Sequence, residues 1–222
     1  MLEKILLTWS GGKDSAMALH EIQKISDFEI GSLLTTVTKD YRRISMHGIK
    51  EELLDMQVKA LGYELEKIII SKHCTNKEYD LKMRHTLEKY VSLGIKKVVF
   101  GDIFLADVRK YREQNLAKIG MTGIFPLWSK KTTILAHDFI ELGFKAVITC
   151  VDTHSLEGTF VGRMFDQKFL DELPPNIDPC GENGEFHTFV WDGPIFSTPI
   201  SFEIGENVLR DNRFYYCDLI SK

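Results

Sequence analysis

Six consecutive residues, Ser10-Gly11-Gly12-Lys13-Asp14-Ser15, follow the apolar run K-I-L-L-T-W and open a segment of helical period. A strand that turns into a helix through two glycines can expose successive N–H groups as a concave nest at the positive end of the helix dipole. The Ser10 and Ser15 hydroxyls and the Lys13 ammonium add donors, so the natural occupant is a phosphate. Neither the Walker spacing G-x-x-x-x-G-K-[ST] nor the dinucleotide fingerprint G-x-G-x-x-G is present. A tight turn with a capping serine and a solvated Lys13 and Asp14 is the competing reading, and the six residues alone leave both open.

Two later stretches carry further candidates. In F-G-D-I-F-L-A-D-V-R-K-Y-R, at 100–112, Gly101 and Asp102 follow an apolar run; Asp102 can contact a nucleotide or Mg²⁺, or cap the next helix. Arg109 and Arg112, three apart, share a helix face, and the usual meaning of such a run is a solvated charged surface. In D-P-C-G-E-N-G-E-F-H-T-F-V-W-D-G-P, at 178–194, Gly181 and Gly184 bracket Glu182 and point to a tight polar loop. His47 lies in S-M-H-G, with an ordinary helix-start histidine as its alternative. Cys74 and Cys180 read as small buried thiols rather than nucleophiles, and His73-Cys74 lacks a second ligand pair at zinc spacing.

S-G-G-K-D-S after the first strand resembles the signature of the N-type ATP pyrophosphatases, the PP-loop enzymes that split ATP between its α and β phosphates. The middle and C-terminal stretches resemble those of the diphthine-ammonia ligase family, and three ordered motifs spanning roughly 1–195 are far more specific than one. The resemblance implies an ATP-dependent amidation. A carboxylate attacks the α-phosphate, pyrophosphate leaves, and ammonia displaces AMP from the acyl-adenylate. It implies that Ser10, Gly11, Gly12, Lys13, Asp14 and Ser15 bind the β and γ phosphates, and that Asp14 and Asp102 hold Mg²⁺. Thr35 and Thr36, expected to end the second strand, would present backbone groups to the adenine, beside Gly101. His47 and Arg112 would lie near the nucleotide. Lys13, Asp14, Glu182 and Glu185 would be catalytic, and Glu182, Asn183, Glu185, His187 and Thr188 would form the acceptor side. The chain departs from the family here: E-N-G-E-F-H-T stands where the family reads E-G-G-E-[FY]-E-T, and with these substitutions it resembles the family's bacterial relatives. The ATP half therefore carries over better than the acceptor half. A PP-loop ATP pyrophosphatase acting on another small acceptor, and a non-catalytic adenine-nucleotide-binding module, are the alternatives. Thiolation of a tRNA base would call for paired cysteines and a basic surface.

These residues need a frame that brings strand ends together. Apolar runs at 3–9, 30–37, 64–70, 96–101 and 144–151 alternate with helical patterns at 13–25, 47–61, 76–93, 105–119 and 130–142. That alternation predicts an α/β chain, a Rossmann-like (HUP-type) parallel sheet with helices on both faces. Gly62, Gly94, Gly120 and Gly143 fall where left-handed helix caps are wanted. After Pro174-Pro175 the alternation stops, and apolar stretches near 198–204 and 213–220, the second after R-D-N, predict a terminal hairpin. The expected organisation is an ATP-binding domain over 1–125 and a smaller C-terminal α+β substrate-side domain over 126–222.

At 222 residues the chain can bury a substantial core, with 44% hydrophobic and 27% charged residues. Its net charge of -4, from 28 Lys plus Arg against 32 Asp plus Glu, argues against nucleic acid as a partner. Four scattered cysteines suit a reducing cytoplasm, and no apolar run reaches membrane-spanning length. The expected partners are a nucleotide, ammonia and a carboxylate acceptor, free or on a protein; a homodimer is left open.

Overall fold

The structure is a computed structural model that describes residues 2–44 and 47–222. Ser45 and Met46 of the S-M-H-G stretch lie outside the described residues, while His47 is within them.

Five strands pair in parallel in the order β4 (Leu65–Ile70), β2 (Phe28–Thr38), β1 (Glu3–Thr8), β5 (Lys97–Val99) and β6 (Thr122–Ile124). The two-residue β3 (Arg43–Ile44) adds an antiparallel pair at the end of β2. Side-chain alternation along these strands is double-sided: Ile5, Leu7, Leu33, Val37 and Val99 enter one core, Leu6, Leu34 and Val98 the other. A sheet apolar on both faces needs helices on both. α1 (Lys13–Gln23) and α2 (Glu51–Leu61) cover the first face, while α3 (Asn76–Ser92) and α4 (Ala106–Ala117) cover the second.

The helix ends follow their local chemistry. Thr75 and Glu78 form a reciprocal capping box at the start of α3, and Gly62 ends α2 at φ 75°, where a Cβ would be strained. Gly94, Gly120 and Gly143 are left-handed as well.

After α5 (Thr132–Glu141) a second, antiparallel sheet runs β8 (Phe186–Asp192), β7 (Lys145–Asp152), β10 (Phe214–Ser221), β9 (Phe202–Arg210), with the short α6 (Gln167–Glu172) beside it. Asp211 and Asn212, both at positive φ, make the predicted hairpin turn. Stacked and edge-on rings of Phe139, Phe144, Phe165, Phe169 and Phe186 fill the space between this sheet and its helices. This core is continuous with the first face of the parallel sheet.

Four expectations are corrected. The helix expected from 47 begins at Glu51, because Arg43–Ile44 is drawn into the sheet and Gly48 is left-handed. Thr35 and Thr36 do not end β2, which continues to Thr38 because β4 pairs with it along Leu33–Thr38. His187 and Thr188, grouped with the polar loop on the acceptor side, stand instead on β8, paired with β7, and the loop stops at Glu185. The hairpin's first strand starts at Phe202 rather than near 198.

Candidate active site

β1 is the point where the strand order reverses, with β2 on one side and β5 on the other. The crevice beyond such a switch point is where α/β sheets collect ligands, and Ser10–Ser15 fills it. Gly11 is left-handed at φ 77° and Gly12 is the N-cap of α1. The Gly12 N–H donates to Ser10 Oγ at 3.3 Å, Ser15 Oγ donates to the Gly12 carbonyl at 2.8 Å, and the Lys13 N–H donates to Thr188 Oγ1 at 3.0 Å. The turn is closed in on both sides. A Cβ on Gly12 would lie 2.8 Å from His47 Cε1 and 3.1 Å from the Thr188 carbonyl, and one on Gly101 would lie 2.9 Å from the Asp14 carbonyl. Both positions are therefore glycine because other atoms occupy the side-chain volume.

β8 is the loop's second wall. The Val190 N–H donates to the Gly11 carbonyl at 2.9 Å, beside the bond from Lys13 to Thr188. Gln57 of α2, fully buried, joins three elements: Trp9 Nε1 donates to its Oε1 at 3.1 Å, and its Nε2 donates to the carbonyls of Gly11 and Val190 at 3.0 and 2.6 Å. The sequence reading missed Gln57, although an amide in step with Leu53, Leu54, Val58 and Leu61 on an apolar face was the signal.

The Lys13 side chain is buried, its Nζ 2.9 Å from both oxygens of Asp14 and 5.6 Å from the centre of the Phe186 ring. Burial disfavours its charge, but Asp14, Cys180 and Glu182 outweigh that and raise its pKa. Burial pushes Asp14 up, with Lys13 opposing and Asp178 and Asp102 adding like charge. Asp102 is held by Arg112, Nε to Oδ2 2.6 Å, and Arg112 lies over the Phe100 ring at 4.5 Å. Asp102 does not cap α4, whose N-cap is Leu105. Arg109 pairs with Glu113 and stacks on Phe125 and Trp128.

The 178–185 loop is organised by carboxylates. Asp178, which the sequence reading did not single out, accepts from the N–H groups of Cys180 and Glu182. Glu182 Oε1 accepts from Ile103 and Phe104 N–H at 2.8 and 3.3 Å, tying the loop to the segment after Asp102, and burial raises its pKa. Glu185 Oε1 accepts from Asp178 N–H and from the Asn183 amide, while its buried Oε2 has no partner among the described residues. A buried carboxylate oxygen without a donor is a place for a ligand N–H. Asn183 itself is exposed.

The rings of His47 and His187 lie against each other, centres 4.6 Å apart and planes tilted by 40°, with His47 Nδ1 3.4 Å from the Thr188 carbonyl. Burial pushes His47 down to about 4 and His187 well below the ordinary imidazole range, with Lys13 acting in the same direction. Both rings are thus neutral at pH 7. Cys180 is no nucleophile: burial lifts its thiol to about 12. Thr35 is buried within β2, and the bond that joins this part of β2 to the start of the loop runs from Trp9 N–H to the carbonyl of Leu34, one residue before it. Among the described residues no three His, Cys, Asp or Glu side chains are preassembled around a metal position.

The diphthamide synthase N-terminal domain profile matches residues 3–123 and the diphthamide synthase C-terminal domain profile matches 131–219. The chain belongs to the diphthamide synthase family. Its similar relatives include the diphthine–ammonia ligase of Danio rerio, 24% identical over 91% of this chain and 88% of the relative. That of Schizosaccharomyces pombe is 24% identical over 89% of this chain and 36% of the relative. The Homo sapiens enzyme is 29% identical over 48% of this chain and 42% of the relative. The chain thus spans most of the zebrafish relative but well under half the length of the yeast and human ones. Among the described residues no helix is long and apolar enough to cross a membrane.

Proposed function

We propose that this diphthamide synthase family member is an ATP-dependent amide-forming ligase, like the diphthine–ammonia ligases it resembles. The observation that carries the reading is the contact between two halves of one site. A phosphate-type loop is closed by the strand that follows the carboxylate loop, through Lys13 to Thr188 and Gly11 to Val190.

The residues divide the work by charge. The backbone of Gly11 to Ser15, the Ser10 and Ser15 hydroxyls and Lys13 hold the β and γ phosphates, and the Lys13 ammonium meets the charge that grows on the departing pyrophosphate. Asp14 and Asp102 sit on the polyphosphate side and fit Mg²⁺, a cation that keeps waters and is bound by one or two carboxylates together with phosphates. Bound there, Mg²⁺ would neutralise phosphate charge. The adenine would lie beyond the end of β1, beside Thr35 and Thr36 within β2 and near Gly101, with Arg112 turning from Asp102 to a phosphate.

On the acceptor side a carboxylate attacks the α-phosphorus and pyrophosphate leaves. Ammonia then attacks the acyl carbon, AMP departs, and the ammonium proton passes to a carboxylate. Glu182, whose proton affinity is raised by burial, suits that transfer, and Glu185 Oε2 offers an acceptor for an ammonia N–H. Asn183, His187 and Thr188 complete this wall. Four free thiols suit action in the cytoplasm.

Incubation with ATP, Mg²⁺, ammonium and candidate carboxylates should release AMP and pyrophosphate in equal amounts. Lys13→Ala should lower the rate at least a hundredfold. Absence of AMP with every acceptor, while ATP still binds, would favour a nucleotide-binding module instead.

A further inference from the structure

We infer that His47 and His187 act as one proton-binding unit of the nucleotide site, uncharged in the empty protein and converted to an imidazolium when a polyphosphate occupies Ser10–Ser15. The inference rests on the reading of that loop as a polyphosphate site, and it is independent of whether the protein forms an amide.

The placement carries it. The His47 ring packs on the Cα of Gly12, the N-cap of the helix at the head of the proposed phosphate site, so closely that no side chain fits between them. The carbonyl of Thr188 can only accept, so its contact with His47 Nδ1 fixes the hydrogen on that nitrogen. Nε2 is left as the basic atom. His187 stands one residue before Thr188 on β8, ring against ring with His47, so a proton on either imidazole is shared electrostatically with the other.

The groups facing the pair come from two elements. Lys13 of α1 is the cation felt by both rings, Asp14 is bound to that cation, and Tyr216 of β10 lies against the adjacent Gly48. Among the described residues, the contacts of the two rings are with the Thr188 carbonyl and with each other rather than with a carboxylate. The pair is therefore neutral for want of an anion, and burial holds it so.

A polyphosphate supplies that anion. One negative charge about 4 Å from an imidazole, at an effective dielectric of about 20, raises its proton affinity about a thousandfold. Starting from about 4, His47 then holds a proton for roughly half the time at pH 7. The proton comes from solvent, and the resulting charge lies beside the phosphates that must leave.

The test uses the full chain and the α,β-methylene analogue of ATP, which cannot be split between those phosphates. In nitrogen NMR of the imidazoles at pH 6.5, the empty protein should show two neutral rings, and saturation with the analogue should move one Nε2 signal to the imidazolium position. The γ-phosphate signal, followed in the same titration, separates the ligand's own proton. Relative to His47→Gln, the wild type should bind about tenfold more tightly at pH 6 than at pH 8, and His187→Asn should reduce that gain. Two rings that stay neutral at saturation, a pH dependence unchanged by both substitutions, or no binding of the analogue would each overturn the inference. A protein that takes up the proton yet releases no AMP with any acceptor would leave it standing and defeat only the ligase reading.

Discussion

Two half-buried imidazoles held beside the Lys13 ammonium make the empty protein sensitive to mild acid. A histidine whose folded pKa lies below its unfolded value contributes stability that is fully present above about pH 6.5 and is lost as the pH falls towards the folded value. For His47, pushed down to about 4, the window runs from about 6.5 to 4, and the loss is on the order of 3 kcal/mol. Asp14 and Glu182, raised by burial, act in the opposite sense at the acid end. Comparing urea unfolding of the wild type and His47→Gln at pH 7 and pH 5 isolates the histidine: the variant should lose less stability over that interval, and equal losses would refute the buried neutral ring. His47 and His187 could be named from the sequence, but not as a pair. Their contact depends on His47 lying against the strand that pairs with β7, and no spacing reports that.

At the scale of elements, the phosphate loop is held by a hydrogen-bond joint. Gln57 of α2 links the end of β1 to β8 through Trp9, Gly11 and Val190, all in the dry interior. Gln57→Leu conserves volume but strands the Trp9 N–H and the Val190 carbonyl; each such buried group costs about 1–3 kcal/mol. The variant should lose about 3 kcal/mol, a fall of roughly 10 °C in Tm for a chain of this size, and ATP should bind more weakly because the Gly11 turn is released. An unchanged Tm would show that the joint contributes nothing. The strands and helices that carry this joint were mostly legible, because double-sided apolar runs and helix-ending glycines reflect local chemistry. β6 and β8 were not. Thr122–Ile124 is only three residues long, and Phe186–Asp192 is polar where it meets the site, so neither shows the apolar run that marks a strand.

At the scale of the molecule, the boundary expected near residue 125 is a proposal about the chain, and the packing bears on what it would mean. The larger core gathers Ile5 and Leu7 of the first sheet's central strand, and Trp9 just after it, with Val147, Phe189 and Val190 of the second sheet, and the site's own bonds cross the same line. A fragment of residues 1–125 would expose that apolar face and lose Thr188 and Val190 from the loop. A fragment of 126–222 would keep the carboxylate loop without the segment after Asp102 that receives Glu182. The two halves should therefore unfold together. Calorimetry of the intact chain should give one transition whose calorimetric and van't Hoff enthalpies agree, and neither fragment alone should bind ATP. Two resolved transitions, or ATP binding by 1–125 at the affinity of the whole, would instead make the first part a self-sufficient nucleotide domain. The single transition follows from that shared core and those bonds, and on the proposed reading it would serve the chemistry, because a loop holding pyrophosphate and a loop receiving an acceptor would need one rigid frame for in-line attack at the α-phosphate.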